Sequence, residues 1–158
     1  MRIVRTPADL VPLVVKTLGT SDWIVIDQAR IDAFARCTGD DFWIHVDTDR
    51  AAADMPEGRT IPHGLMLLAL VPLLQRQIFR VEQRGIGLNY GSDRVRYTAP
   101  VMVGSRVRLR QSVKAAERQG AATRLLTECV VQLDGSDRPA VVADFILLLN
   151  DAPDAGQG

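Results

Sequence analysis

The sequence predicts an α+β domain in which an antiparallel sheet wraps one central buried helix, and three observations lead there. The segment from Leu65 to Leu74 is apolar on every side, as expected of a helix enclosed by protein. From Gly85 onward the pattern is β over four long stretches, roughly 85–98, 105–118, 121–134 and 138–150, with breaks at Pro100, Gly104, Gly120 and Gly135. A helical period followed by a run of strands belongs to segregated α+β layers. With 158 residues, 47% of them hydrophobic, one domain over about residues 1–150 can bury a sizeable core without a metal or disulfide staple.

The shorter elements follow from local chemistry. Thr6 before Pro7 starts a helix, and Leu10, Leu13, Val14 and Leu18 recur at helical spacing until Gly19, predicting an N-terminal helix over about 7–18. Trp23 to Ile26 reads as a short strand. Asp27 is placed to cap a second helix whose inner face carries Ile31, Phe34 and Ala35, ending near Cys37. Asp47 caps a short Ala-rich helix through Ala53, stopped by Pro56 and Gly58. Pro72 inside the apolar helix removes one donor and should bend or loosen the following turn. Residues 151–158 read as a disordered tail.

Nineteen basic residues balance nineteen acidic ones, so the bulk charge points to neither nucleic acid nor a membrane surface as partner. No apolar stretch reaches the roughly 18–20 residues that cross a bilayer, and the N-terminus lacks a cleavage signature, so a cytoplasmic location is expected. Cys37 and Cys129 are far apart and outside any paired spacing; both are expected reduced and buried or half-buried.

The chemistry concentrates in T-G-D-D-F-W-I-H-V-D, residues 38–47, where the apolar period is lost. Asp40 and His45 are about 140° apart on a helix and on opposite faces of a straight strand, so they converge only across an arched loop. Gly39 permits such an arch, with Phe42, Trp43 and Ile44 as anchors to the core. A carboxylate and an imidazole meeting at a partly dry wall can hold one water between them. Taken singly, Asp40 also suits a turn or cap, and His45 a surface loop. A metal set of Asp40, Asp41, His45 and Asp47 competes, weakened because Asp47 is better used as a cap and no second histidine is expected nearby; no metal or cofactor is expected. A second constellation, Pro62-His63-Gly64, heads the apolar helix. There the amides of Gly64 and Leu65 lack helical acceptors and can polarise a carbonyl oxygen, with Gly64 allowing close approach; equally, His63 and Gly64 can simply shape the helix entry. Arg106, Arg108 and Arg110 alternate on one strand, as do Arg94 and Arg96 on the strand before; a solvated outer face explains most of them, and phosphate binding is the alternative.

These motifs together, T-G-D-x-x-x-I-H-V-D, I-P-H-G, N-Y-G and R-V-R-Y-T-A-P-V, resemble the MaoC-like, R-specific enoyl-CoA hydratases over about Trp23 to Asn150. The resemblance implies a hot-dog fold, a homodimer and the addition of water to a trans-2-enoyl thioester such as an acyl-CoA, giving an (R)-3-hydroxyacyl thioester. It places the water-activating pair at Asp40 and His45 and the thioester-facing glycine at Gly64, with His63, Leu65 and Asn89 nearby. Phe42-Trp43 replaces the Asn-Pro of many members and looks closer to the NodN-like branch, and Val71-Pro72 stands where some members carry a serine. A hot-dog thioesterase and a non-catalytic acyl-binding or partner subunit are the other functions to weigh.

Overall fold

The computed structural model describes residues 1–153. Its strands are β1 (Arg2–Val4), β2 (Thr17–Thr20), β3 (Ile24–Val25), β4 (Phe79–Val81), β5 (Arg84–Tyr97), β6 (Arg106–Gln119), β7 (Ala122–Leu133) and β8 (Val141–Asp151). The helices are α1 (Gln28–Thr38), α2 (Trp43–Val46), α3 (Thr48–Asp54), α4 (Gly64–Ala69) and α5 (Val71–Gln75), with a 3-10 helix at Pro7–Leu13. The main sheet runs β2-β6-β7-β8-β5, with β3 also paired to β6, and every pairing in it is antiparallel. β1 and β4 form a separate parallel pair.

Alternation on the long strands sends Leu109, Leu125, Phe145 and Leu147 to the concave face, where they form one core with Met66, Leu67, Leu70, Val71 and Leu74 of α4 and α5. A sheet curled around one helix in this way is the hot-dog arrangement. The long strands lie within a few residues of the expected stretches. Asp27 and Asp47 cap α1 and α3 by accepting from the Arg30 and Arg50 amides, each at 2.9 Å.

The N-terminal segment differs from the expected helix over 7–18. Thr6 and Asp9 do start it, the Asp9 carboxylate accepting from the Thr6 amide at 2.8 Å, but Pro12 removes a donor and the helix stops as a 3-10 turn at Leu13. Leu18 reaches the core from β2, through pairing with β6. The central helix is interrupted at Leu70, ahead of Pro72, and it is not enclosed on all sides: Leu65 is 63% and Leu73 45% exposed, because the sheet covers one face only. Cys37 is exposed rather than half-buried, whereas Cys129 is buried. Asp151 belongs to β8, and the expected tail from residue 154 onward lies outside the described residues. No helix among the described residues is long and apolar enough to cross a membrane.

Candidate active site

α1 ends at Gly39, whose φ of 79° is the left-handed conformation that turns the chain out of the helix. The arch that follows closes on the single turn of α2, which carries His45. Three hydrogen bonds stitch this segment to residues 60–64. The Ile61 amide donates to the Ile44 carbonyl at 3.1 Å, and His45 Nδ1 and His63 Nε2 lie 2.7 Å from the carbonyls of Ile61 and Asp40. A carbonyl only accepts, so both ring nitrogens carry the proton; His45 is left with Nε2 as its free, acceptor nitrogen.

Gln28 on α1 holds the arch from behind. Its amide donates to the His45 carbonyl at 2.8 Å and to Asp32 at 2.7 Å, and its oxygen accepts from Thr60. Nothing in the sequence pattern marks Gln28 for this work, since the two partners that tie it to the site are 17 and 32 residues away. Trp43 anchors the arch under the Arg50 guanidinium, 4.2 Å above its ring, while Phe42 is 56% exposed and does not reach the core.

Asp40, His45 and His63 each place one side-chain donor atom within 4.8 Å of the others. Asp40 is largely exposed and its carboxylate lies 3.8 Å from His63 Nε2; the His45 and His63 rings stack with centroids 3.8 Å apart. Contrary to expectation a second histidine is at hand: His63, 18 residues on in sequence, is brought against His45 by the chain's return. The trio is the described group best placed to hold a metal, yet the rings are stacked at 29° and each spends one nitrogen on a carbonyl. In-plane lone pairs on nearly parallel rings do not converge on a common ion, so the arrangement suits proton handling better than coordination. A separation under 5 Å between carboxylate and imidazole is the span that one bridging water fills.

Beside this pair a cavity of about 300 Å³ is lined by His45, Pro62, Gly64, Leu67, Tyr97 and Thr98, among others. The first amides to find an acceptor in α4 are those of Met66 and Leu67, both on the His63 carbonyl, so those of Gly64 and Leu65 have no helical partner. A Cβ on Gly64 would sit 2.9 Å from the Tyr97 ring, which is why only glycine lets the strand lie against the helix start. Partial desolvation in this contact raises the Tyr97 phenol above its ordinary range.

Of the expected residues, Asp40, His45 and Gly64 come together at or beside one cavity. His63 is buried behind Asp40 and does not line the cavity, and the Leu65 side chain points to solvent. Asn89 is displaced: β5 meets the site at Tyr97, and Asn89 lies in a separate groove, because strand register against the helix is set by pairing with β8. Tyr97 and Thr98 were legible only as part of R-V-R-Y-T-A-P-V. The alternating arginines are mostly accounted for on the sheet: Arg106 pairs with Asp134, and Arg108 bonds Gln132 and lies 4.4 Å over Trp23. Arg94 sits at φ 54° in an irregular stretch of β5 and does not continue the alternation with Arg96.

Comparison with known proteins identifies the family. The model of the MaoC like domain matches residues 11–132. The 3-hydroxyacyl-thioester dehydratase Z of Mycobacterium tuberculosis is 45% identical over 148 residues, covering 93% of this chain and 97% of that protein. Nodulation protein N of Rhizobium leguminosarum bv. viciae is 39% identical, covering 92% and 94%. Among solved structures, the (R)-hydratase of A. caviae involved in PHA biosynthesis superposes with a TM-score of 0.63 at 25% identity, over 85% of this chain and 96% of that one. The unliganded R-hydratase PhaJ1 of Pseudomonas aeruginosa gives 0.69 at 20%, over 94% and 86%. The arched carboxylate and imidazole, the glycine-headed helix and the sheet around it therefore belong to a chain of the MaoC-like dehydratase family.

Proposed function

We propose that the protein adds water to trans-2-enoyl thioesters, giving (R)-3-hydroxyacyl thioesters, and catalyses the reverse dehydration. The observation that carries this reading is the Asp40 carboxylate and the His45 imidazole, within 4.8 Å of each other and beside a cavity whose other wall is Gly64. Water held between carboxylate and imidazole loses a proton to the pair as its oxygen bonds to C3; the C2=C3 π electrons move toward the thioester, and C2 takes a proton from the pair. The Gly64 amide, lacking a helical acceptor, donates to the enolate oxygen that forms, a contribution typically worth about 3–4 kcal/mol when well aimed. The reaction is redox-neutral and needs no cofactor beyond the thioester carrier, coenzyme A in our reading. The (R) configuration is drawn from the (R)-hydratase of A. caviae, whose solved structure is 25% identical.

The working unit in this proposal is a homodimer. β5 has β8 on one side only, and Ile86, Leu88 and Tyr90 on it are 68%, 47% and 64% exposed, an edge that a second copy would cover. Light scattering coupled to gel filtration checks the dimer. Loss of enoyl absorbance over a chain-length series of enoyl-CoAs, with free thiol assayed in parallel, checks the reaction. Hydration without thiol release is expected; thiol release instead would make the protein a thioesterase.

A further inference from the structure

A second groove, of about 750 Å³, lies at the far end of α4–α5 and is lined by Gln75, Arg76, Arg84, Asn89, Leu147 and Leu149, among others. It and the active-site cavity have no lining residue in common. Gly64 and Tyr97 border the active-site cavity and Gln75 and Asn89 the groove, so α4–α5 begins at one and ends at the other. From Gly64 to Gln75 the helical rise amounts to about 16 Å.

Gln75 enters the groove with a fixed polarity. The Thr127 hydroxyl has one hydrogen and lies 3.3 Å from the Phe145 carbonyl, which only accepts. Its oxygen therefore accepts from Gln111 Nε2 at 2.9 Å, and the same nitrogen donates to Gln75 Oε1 at 2.8 Å. Gln111 is fully buried and its Oε1 has no partner. Turning that amide over would strand an NH2 with two hydrogens where one carbonyl oxygen is now unpaired, so the chain is held in this direction. Gln75 must keep its oxygen inward and its NH2 toward the groove. On the rim, Arg80 is paired with Glu82 at 3.2 Å, while Arg76 and Arg84 have no carboxylate partner among the described residues. Beside apolar walls at Phe79, Leu88, Leu147 and Leu149 the groove offers hydrogen-bond donors and positive charge, and an alkyl end laid against Gln75 would desolvate its amide without replacing its hydrogen bond.

We infer that Gln75 is a specificity residue that selects enoyl thioesters whose acyl arm carries an oxygen acceptor, a terminal carboxylate fitting best. The inference rests on the hydratase reading and deepens it. Its test is a ratio taken within each preparation: kcat/KM for a long ω-carboxy-2-enoyl-CoA over that for the plain 2-enoyl-CoA of equal length. Wild type should favour the carboxylate by about tenfold or more. Gln75→Glu keeps the inward oxygen for Gln111 but turns a carboxylate to the groove, and should invert the ratio. A wild-type ratio near one, or a ratio unmoved in Gln75→Glu, overturns the inference. Repeating the pair as N-acetylcysteamine thioesters, which carry no phosphate, should preserve the ratio; its collapse would mean that the groove reads the carrier, and would also overturn it. Hydration of crotonyl-CoA by wild type tests the underlying reading separately. Should that fail, calorimetric binding of saturated ω-carboxyacyl-CoA and plain acyl-CoA replaces the ratio, and equal Kd values overturn the inference.

Discussion

The arched segment around Asp40 and the central strands β6, β7 and β8 are held by different physics. The arch is built from single hydrogen bonds between side chains and backbone: Gln28 to the His45 carbonyl, His45 to that of Ile61, His63 to that of Asp40. The strands are built from continuous ladders and an interior in which Leu109, Leu125, Cys129 and Val131 are essentially inaccessible. Losing one bond in the arch costs modest stability but displaces a reacting group, whereas losing buried area in the sheet costs stability and leaves the site's geometry alone. Activity and stability should therefore separate by region.

The sharpest way to break that division is at the pair itself. Asp40→Asn and His45→Gln should each lower kcat/KM for enoyl-CoA hydration by about 10²–10⁴-fold. Thermal melting of Asp40→Asn should stay within about 0.5 kcal/mol of wild type, since that carboxylate is mostly exposed. Full activity in either variant would remove the pair from the mechanism. Leu125→Ala is the converse: chemical denaturation should show a loss of about 2–5 kcal/mol, with kcat per folded molecule unchanged.

Smaller effects sharpen the boundary. Gly64→Ala forces the new methyl against the Tyr97 ring, so kcat/KM should fall by about 10- to 100-fold, and Gly64→Ala with Tyr97→Ala should recover part of the loss if steric displacement is the cause. Gln28→Leu strips a partner from the His45 carbonyl and from Thr60; a stability loss of about 1–3 kcal/mol should accompany a lower kcat with KM little changed.

Near neutral pH one further effect in the sheet stays silent. Burial pushes the Cys129 thiol from 9.0 up to about 12, so the unfolded chain loses this proton before the folded one. The contribution to stability is full below about pH 9 and is lost as pH rises toward 12, at up to about 1.4 kcal/mol per pH unit; Cys129→Ala should flatten that slope in denaturation series. In the native protein one thiol, exposed Cys37, should react with an alkylating reagent at pH 9 and the second only on unfolding.

What the sequence discloses follows how local the cause is. Asp27 and Asp47 were legible because a cap binds an amide three residues on, and the long strands because alternation is written into each. The N-terminal helix stops short of its local signal because what fixes Leu18 is β6, some ninety residues later, while Pro12 interrupts the helical turn. Asp40 and His45 stood out as a short motif. That His63 would stack on His45, that Gln28 would brace the arch, and that Tyr97 rather than Asn89 would face the cavity all depend on register and packing, which no spacing encodes.

The place of β8 in the sheet has a consequence for synthesis. β5 is made before β6 and β7, yet its one neighbour among the described strands is β8, the last of them to emerge, and the same strand completes β7. Until residues 141–151 leave the ribosome, β5 waits with both edges open and its Ile86, Leu88 and Tyr90 unprotected. A premature stop before Val141 therefore removes one strand from the gene product but two from the sheet, and what remains is a sticky fragment rather than a smaller version of the protein.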